Sequence, residues 1–266
     1  MAGEENTAGG AVALVSGGGT GVGAATVLKL ARRGCRVAVN FRSSGDAAES
    51  VVAACRAESS EAMAIQGDVA VDADCRSMVA QCVEKWGRLD ILVCSAGTTQ
   101  FTSLTDLENQ NAEDFQRVYA TNVLGVHQLA RAAAPYLEKS GEGAVVTISS
   151  IAGVNGNGSS LAYVASKGAL NALTLALARL LAPRVRVNAV LPGLIDSGWF
   201  LNGMDAAQYA AIRENFAAAS ALGTVCSPED IADAAVFLAL DARRMTGQFM
   251  TVDAGYSLGR AVRVSR

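Results

Sequence analysis

The stretch "AVALVSGGGTGVGAATVLKLARRG", residues 11–34, decides how this chain folds. It begins as a run of Val and Ala that is apolar on both faces, passes through a loop with glycines at 17, 21 and 23, and continues as a helical pattern. Glycine permits tight turns and close approach of the backbone to a ligand. The free N–H groups and positive dipole end of the helix would face this loop. The stretch therefore predicts a pyrophosphate-binding turn, although its G-x-x-x-G-x-G spacing differs from the commoner G-x-G-x-x-G.

The alternation of apolar runs and helical patterns continues along the chain. Further runs rich in Val and Ile lie at 35–41, 62–69, 89–97, 143–150, 184–193 and 247–255, and helical patterns at roughly 22–33, 45–58, 72–86, 112–138, 161–182 and 228–240. Runs that are apolar on both faces are typical of parallel strands covered on both sides. We predict an α/β fold: a single-domain, Rossmann-type, doubly wound parallel sheet of about seven strands with helices on both faces.

The domain is expected to span 11–256, between short tails at 1–10 and 257–266. The segment 194–227 is the one long irregular stretch. Because it follows the end of a strand, it suits a lid over a ligand site. The alternative is an ordinary helical insertion packed on the surface.

Composition narrows the classes of function. The chain has 266 residues, 51% of them hydrophobic, a net charge of −3 and no cluster of basic residues, which argues against nucleic acid as a partner. We expect no run of membrane-spanning length and no secretory signal at the N-terminus. The six cysteines form no CxxC pair and there is a single histidine, so we predict no metal site and a cytoplasmic protein with reduced, buried thiols.

The end of the second apolar run, "VNFRSSG" at 39–45, bears on the choice of coenzyme. An acidic residue near this point holds the ribose hydroxyl in sheets that bind NAD. Here Phe41, Arg42 and Ser43 occupy the region, and guanidinium pairs well with phosphate oxygens. We therefore favour NADP(H) over NAD(H) as the cofactor. The alternative is that Arg42 is a solvated surface residue.

The stretch "YVASK" places Tyr163 and Lys167 four residues apart near the start of an apolar helix. Residues at this spacing share a helix face, so the phenol and the ammonium can meet. A nearby positive charge lowers the pKa of a phenol and would make Tyr163 a usable acid or base. Taken alone, the pair is more simply explained as half-exposed residues on a helix shoulder.

With the glycine loop and the Tyr-x-x-x-Lys pair in hand, the chain resembles the short-chain dehydrogenase/reductase family, and most of all its 3-oxoacyl-carrier-protein reductase and glucose dehydrogenase branch. The resemblance covers about 11–256. Ser150 in "TISSIAG" lies thirteen residues before Tyr163, "TNVLG" supplies Asn122, and "PGLIDS" matches Pro-Gly-x-x-x-Thr with Ser197 in place of Thr. Together with the residues above, it implies a catalytic set of Asn122, Ser150, Tyr163 and Lys167, and cofactor contacts at Ser16, Gly17, Gly19, Thr20, Gly21, Val22, Gly23, Phe41, Arg42, Ser43, Asp68, Val69, Ser95, Ala96, Gly97, Asn122, Tyr163, Lys167, Pro192, Gly193, Ile195 and Ser197.

Two departures from the family pattern stand out. The family's Asn-Asn-Ala-Gly is here Cys94-Ser95-Ala96-Gly97, which puts hydrogen bonding at the end of the fourth strand in question. The basic residue that many NADP-dependent members carry in the glycine loop is replaced by Thr20. Coenzyme preference then depends mainly on Arg42 and Ser43.

The resemblance implies a mechanism. Tyr163 would protonate the carbonyl oxygen, Lys167 would lower the pKa of that tyrosine and bind the nicotinamide ribose, and Ser150 would hydrogen-bond the developing alkoxide. Asn122 would hold a water that links Lys167 to solvent, or would simply satisfy a buried backbone group. Ser149 competes with Ser150 by position but not by spacing, and a serine hydrolase built on Ser150 and Lys167 is the rival reading of the pair.

The implied activity is reduction of a small carbonyl substrate to an alcohol, or its reverse. A sugar or polyol dehydrogenase and a non-catalytic NADP(H)-binding regulator on the same fold are the alternatives. The lid segment favours an apolar or mixed substrate, since it carries Trp199, Phe200, Leu201, Met204, Tyr209 and Phe216. Family members are commonly tetramers, so a homotetramer or a dimer is expected.

Overall fold

The computed structural model describes residues 10–199 and 205–259. Its seven strands form one sheet in which every pairing is parallel, in the order β3-β2-β1-β4-β5-β6-β7. This confirms the predicted doubly wound sheet. The strands are β1 (Val12–Ser16), β2 (Arg36–Phe41), β3 (Ala62–Gln66), β4 (Ile91–Cys94), β5 (Gly143–Ile148), β6 (Val185–Pro192) and β7 (Phe249–Val252).

Helices connect the strands and cover the sheet. They are α1 (Gly21–Arg32), α2 (Gly45–Ala57), α3 (Asp72–Trp86), α4 (Ala112–Tyr119), α5 (Gly125–Ser140), α6 (Ala152–Asn155), α7 (Leu161–Leu181), α8 (Ala206–Ala219) and α9 (Pro228–Val236). The predicted helix at 112–138 is interrupted by a π-helical segment, Ala120–Leu124, and the short α6 was not predicted. Single π-helical turns inside longer helices are frequent at functional sites.

The core lies on both faces of the sheet, because alternate residues of each strand point to opposite sides. Leu14 packs in the cluster beneath α3, α5 and α7, while its neighbour Val15 packs in the cluster beneath α1, α2 and α9. Both side chains are fully buried. This two-sided burial explains why the central strands are largely apolar.

Helix α7 differs from the expectation of no apolar run of membrane-spanning length. Within the described residues it is the one helix that is long and apolar enough, at 21 residues and a mean hydropathy of 1.3 over its most apolar window. Leu170, Leu177 and Leu181 on this helix are buried in the core cluster with the sheet. A helix packed in the core of a protein has this composition too.

The sheet topology fixes where a ligand can bind. Strand β1 lies between β2 and β4, so the connections on its two sides run in opposite directions across the sheet. At such a switch point the loops that follow the strands part and leave a crevice at their carboxyl ends. The glycine loop between Ser16 and Gly21 lies at this point.

Candidate functional site

A cleft of about 1320 Å³ opens at the carboxyl ends of the strands. Sites for one small ligand are usually about 300–1,000 Å³, so this cleft has room for a dinucleotide and a second molecule. Most of the site residues named from the sequence line it. Ser16, Gly23 and Asn122 are the exceptions, and each lies behind the cleft wall in a supporting position.

The glycine loop forms one end of the cleft through close backbone packing. Gly17 has a φ of +63°, and a Cβ there would lie 2.9 Å from the Cα of Ala96. A Cβ at Gly23 would lie only 2.1 Å from the carbonyl oxygen of Gly17. The glycines therefore let the first turn of α1 meet the loop and present its free N–H groups to the cleft.

Two polar side chains hold this loop against the neighbouring strands. The Ser16 hydroxyl accepts hydrogen bonds of 3.1 Å from the backbone N–H groups of Ser95 and Ala96. These bonds hold the segment after β4 where the family's amides are missing. The Asn40 carbonyl oxygen accepts from the Gly17 N–H at 3.2 Å, and its amide donates to the Gly67 oxygen at 3.0 Å.

Asn40 is a supporting residue that the sequence analysis missed. It is buried near the carboxyl end of β2, directly after three apolar residues. A buried polar group must find partners, so a lone amide inside an apolar strand was the available signal. It ties the ends of β1, β2 and β3 together below the cofactor end of the cleft.

Asn122 serves the structure of the cleft through its side chain. Its carbonyl oxygen accepts from the Thr98 N–H at 2.8 Å, and its amide donates to the Thr98 oxygen and to the Ser166 hydroxyl, each at 3.0 Å. The side chain thus satisfies buried backbone, the alternative considered from sequence. It fixes the segment after β4 to α7, one residue before Lys167.

Ser150, Tyr163 and Lys167 meet at the centre of the cleft. Ser150 follows β5, and its Oγ accepts a hydrogen bond of 3.1 Å from the Ala152 N–H. The Lys167 ammonium donates to the Ile148 oxygen at 2.8 Å and lies 5.5 Å from the centroid of the Tyr163 ring. The spacing of Tyr163 and Lys167 on α7 therefore produces the contact that it predicts.

Ser149 points its hydroxyl elsewhere. It donates to the Asn171 side-chain oxygen at 2.6 Å, inside the interface between β5 and α7. The Ser150 hydroxyl, in contrast, is close enough to the Tyr163 phenol to lower its pKa. The geometry places Ser150, and not Ser149, beside the phenol.

Burial dominates the electrostatics of the pair. It raises the pKa of Tyr163, and the hydrogen bond from Ser150 opposes that rise without cancelling it. It also lowers the pKa of Lys167 to about 8. Burial therefore sets the direction of both shifts, because it removes the phenol and the ammonium from water.

Arg42 stands at the far end of the cleft, beyond the glycine loop. Its guanidinium lies 3.9 Å from a carboxylate oxygen of Asp68 and is 67% exposed, so the ion pair is weak. Ser43 also lines this end. Strand β2 ends without a carboxylate, and a guanidinium with one loose partner is a suitable site for a phosphate group.

The segment predicted as a lid carries α8, which has no buried residue and covers the opposite end of the cleft. Asp196 anchors it, since its two carboxylate oxygens accept hydrogen bonds from the Tyr209 hydroxyl at 2.8 Å and from Arg213 at 2.7 Å. Phe216 on this helix stacks on Tyr256. Three of the aromatic and apolar residues named from the sequence, Phe200, Leu201 and Met204, lie outside the described residues.

The cleft fits a nicotinamide dinucleotide on its own geometry. The close-packed glycines and the N-terminus of α1 form a cradle for a pyrophosphate, and a side chain on those glycines would fill it. Arg42 is placed for a phosphate beyond one end of the cradle, and the Ser150–Tyr163–Lys167 group lies beyond the other.

Comparison with known proteins agrees with this geometry. Residues 17–257 match the family model described as enoyl-(acyl carrier protein) reductase. The chain is 40% identical over 247 residues to a protein named ketoacyl reductase 2 of the granaticin polyketide synthase, from Streptomyces violaceoruber. The match covers 93% of this chain and 96% of that protein. The chain is also 36% identical over 245 residues to a 3-oxoacyl-(acyl-carrier-protein) reductase of Staphylococcus aureus, with 91% and 96% covered.

Two solved structures are similar over nearly their whole length. A short-chain dehydrogenase/reductase from Burkholderia xenovorans has a TM-score of 0.87 and 39% identity, with 94% of this chain and 99% of that chain covered. A 7α-hydroxysteroid dehydrogenase complexed with NADH and 7-oxo glycochenodeoxycholic acid has a TM-score of 0.87 and 29% identity, with 96% and 98% covered.

Proposed function

Because the chain belongs to the short-chain dehydrogenase/reductase family, with relatives that are 3-oxoacyl-carrier-protein reductases, we propose that it reduces a ketone to a secondary alcohol with NADPH and uses Tyr163 as the acid. Family membership makes it an oxidoreductase that acts on carbonyl or alcohol groups with a nicotinamide cofactor. The observation that carries the finer proposal is the contact of Ser150, Tyr163 and Lys167 in a cleft that also cradles a pyrophosphate.

The bound dinucleotide would supply the hydride. Tyr163 is protonated at neutral pH because burial raises its pKa, so it can give its proton to the carbonyl oxygen. The Ser150 hydroxyl stabilises the charge that develops on the same oxygen by donating a hydrogen bond. Lys167, when charged, stabilises the phenolate that Tyr163 becomes, and its ammonium would also bind the nicotinamide ribose.

The pH dependence of reduction follows from the two pKa shifts. The raised pKa of Tyr163 keeps the acid protonated through neutral pH, while Lys167 loses its charge above about pH 8. We expect kcat/KM for reduction to be constant below about pH 8 and to fall above it by up to about tenfold per unit. A steady-state profile measures this, and a fall that begins well below pH 7 would contradict the assignment.

The preference for NADP(H) is supported by Arg42 and by the absence of a carboxylate at the end of β2. Relatives do not decide this point by themselves, since one similar structure is a complex with NADH. A guanidinium and the Ser43 hydroxyl offer donors to a 2′-phosphate, whereas a ribose hydroxyl would find no acidic partner on β2.

A 3-oxoacyl thioester is the substrate type favoured by the names of the relatives. A sugar or polyol dehydrogenase and a non-catalytic regulator remain the alternatives. The test is NADPH consumption with acetoacetyl thioester, simple ketones and glucose, run beside NADH. We expect turnover of a ketone or a thioester with NADPH. Binding of NADPH without turnover of any compound would favour the regulator, and oxidation of the sugar alone would favour the dehydrogenase.

The assembly and the location of the protein are also proposals. A homotetramer is supported by exposed apolar side chains on two faces, Phe115, Tyr119 and Leu124 beside the π-helical segment and Leu175, Leu180 and Phe249 near β7. Such patches are usual at interfaces between subunits. A cytoplasmic location is supported by the cysteines, all of which are free and buried.

A further inference from the structure

The half of the cleft beyond Ser150, away from the glycine loop, has no part in the proton transfer. Apolar and aromatic side chains line it beside neutral polar ones such as Asn155 and Gln208; the apolar and aromatic residues are Phe101, Ile151, Trp199, Ile212, Phe216 and Tyr256. Among the described residues, the charged side chains that line the cleft are Arg42, Asp68 and Lys167. Arg42 and Asp68 lie at the coenzyme end, and Lys167 belongs to the group around Tyr163. A charged substrate group would lose its hydration here without gaining a partner, so this half suits a neutral group.

Two aromatic rings line one wall of this half. The rings of Phe216 and Tyr256 stack with their centroids 3.8 Å apart and an angle of 8° between their planes. Both pack against a small buried cluster of Ile151, Ala189 and Leu191, of which Ile151 directly follows Ser150. Pairs of aromatic rings usually prefer offset or edge-to-face arrangements with centroids 4.5–7 Å apart, so the surrounding fold must hold this close parallel pair.

The turn before Tyr256 holds one of the two rings. Ala254 has a φ of +53° and Gly255 a φ of +76°, and the left-handed region is disfavoured for a residue with a Cβ. The Asp253 carboxylate stabilises the turn, because it accepts from the N–H groups of Gly255 at 2.9 Å and Ser257 at 2.8 Å. Strain of this kind persists where surrounding contacts fix the backbone, and it clusters at ligand sites.

The same turn is hydrogen-bonded to the segment that follows α8. Helix α8 itself carries the other ring, that of Phe216. The Leu222 N–H donates to the Ala254 oxygen at 3.0 Å, and the Ala221 N–H donates to the Gly255 oxygen at 3.4 Å. A Cβ at Gly193 would lie 3.2 Å from the tip of the Phe216 ring, so Gly193 leaves room for that ring. The aromatic pair is therefore built from three separate segments. The Tyr256 hydroxyl has no hydrogen-bond partner among the described residues, which leaves a polar group at the edge of this wall.

We propose that the substrate ketone carries a flat ring system, which packs against the Tyr256–Phe216 pair while Ser150 and Tyr163 hold its carbonyl oxygen. This inference deepens the proposed function and rests on it. A rigid ring can pack against aromatic side chains and loses little conformational freedom on binding, whereas a linear chain must give up its rotamers. A ring substituent with a polar edge can also hydrogen-bond the Tyr256 hydroxyl.

The test uses three neutral ten-carbon ketones with the carbonyl at the second position: 2-tetralone, 2-decalone and 2-decanone. Their kcat/KM values with NADPH are compared, together with Kd values for the NADP⁺ complex from titration calorimetry. We expect 2-tetralone to have a kcat/KM at least about tenfold higher and a Kd at least about tenfold lower than 2-decanone, with 2-decalone between them. Equal values for the three ketones would overturn the inference while leaving a ketone reductase in place.

Variants of the wall make the test specific. We expect Tyr256→Leu and Phe216→Leu each to reduce the ratio of 2-tetralone to 2-decanone about fivefold, and Tyr256→Phe, which keeps the ring, to retain it. Tyr136→Leu is the matched control, because Tyr136 is exposed on α5 and does not line the cleft. A ratio that is the same in Tyr256→Leu and Tyr136→Leu would overturn the inference. Reduction of none of these ketones, and of no acetoacetyl thioester, would contradict the proposed function. The Kd values of the ketones would then test the stacking site without turnover.

Discussion

Tyr163→Phe is expected to lower kcat for NADPH-dependent reduction by about 10²- to 10⁴-fold, the range that a positioned general acid contributes. The substitution removes one hydroxyl and keeps the ring that lies 5.5 Å from the Lys167 ammonium. The site then loses its proton donor, because Ser150 alone is too weak an acid to protonate the oxygen. The measurement is steady-state kcat and KM with the best ketone of the panel.

Two controls separate lost chemistry from lost structure. The Kd of NADPH should change by less than about threefold in Tyr163→Phe, since the glycine cradle and Arg42 are untouched and RT ln 3 is only about 0.6 kcal/mol. Tyr136→Phe removes a hydroxyl from an exposed tyrosine outside the cleft and should keep full activity. Tyr163→Phe turning over at the rate of the parent protein would disprove the assigned acid.

Arg42→Asp is expected to reverse the preference for coenzyme. Hydrogen bonds to charged groups contribute about 1.5–3 kcal/mol, so kcat/KM for NADPH should fall about 10- to 100-fold when the guanidinium is lost. The new carboxylate at the end of β2 can accept from ribose hydroxyls, so kcat/KM for NADH should rise. The ratio of the two coenzymes is measured with a single ketone at saturation.

Arg184→Asp is the matched control for this change of charge. Arg184 is exposed just before β6, at the amino end of the sheet and so opposite the cleft. An equal fall with NADPH in Arg184→Asp and Arg42→Asp would mean that net charge, and not a contact with the 2′-phosphate, sets the preference. If Arg42→Asp leaves the ratio of the two coenzymes unchanged, Arg42 does not contact the coenzyme and is a solvated surface residue.

The loop before α1 and the Tyr163–Lys167 pair could be predicted because both depend on short-range geometry. Positive φ angles and close backbone approach require glycine at a few fixed positions, and the helical repeat brings residues four apart onto one face. The parallel sheet was likewise predictable, since strands buried on both faces must be apolar throughout. These features need no knowledge of which distant segments meet.

Asn40 and Asn122 show where sequence reasoning stops. Each amide satisfies backbone groups that belong to other strands or loops, up to 27 residues away for Asn40 and 24 for Asn122. The residue type alone does not reveal such partners, because they depend on how the strands are ordered. The pairing of Phe216 with Tyr256 is of the same kind, since it needs both the lid helix and the turn after β7 in place.

The amino-acid sequence by itself predicted the fold and the glycine cradle, because periodicity and local sterics are written into neighbouring positions, whereas the central residues were proposed from the resemblance to the family. Only the tertiary structure decided the electrostatics, including the raised pKa of Tyr163 and the lowered pKa of Lys167. It also decided which of Ser149 and Ser150 meets the phenol. The physical reason is that desolvation and long-range contact depend on the packing of the whole domain, which no short stretch of sequence contains.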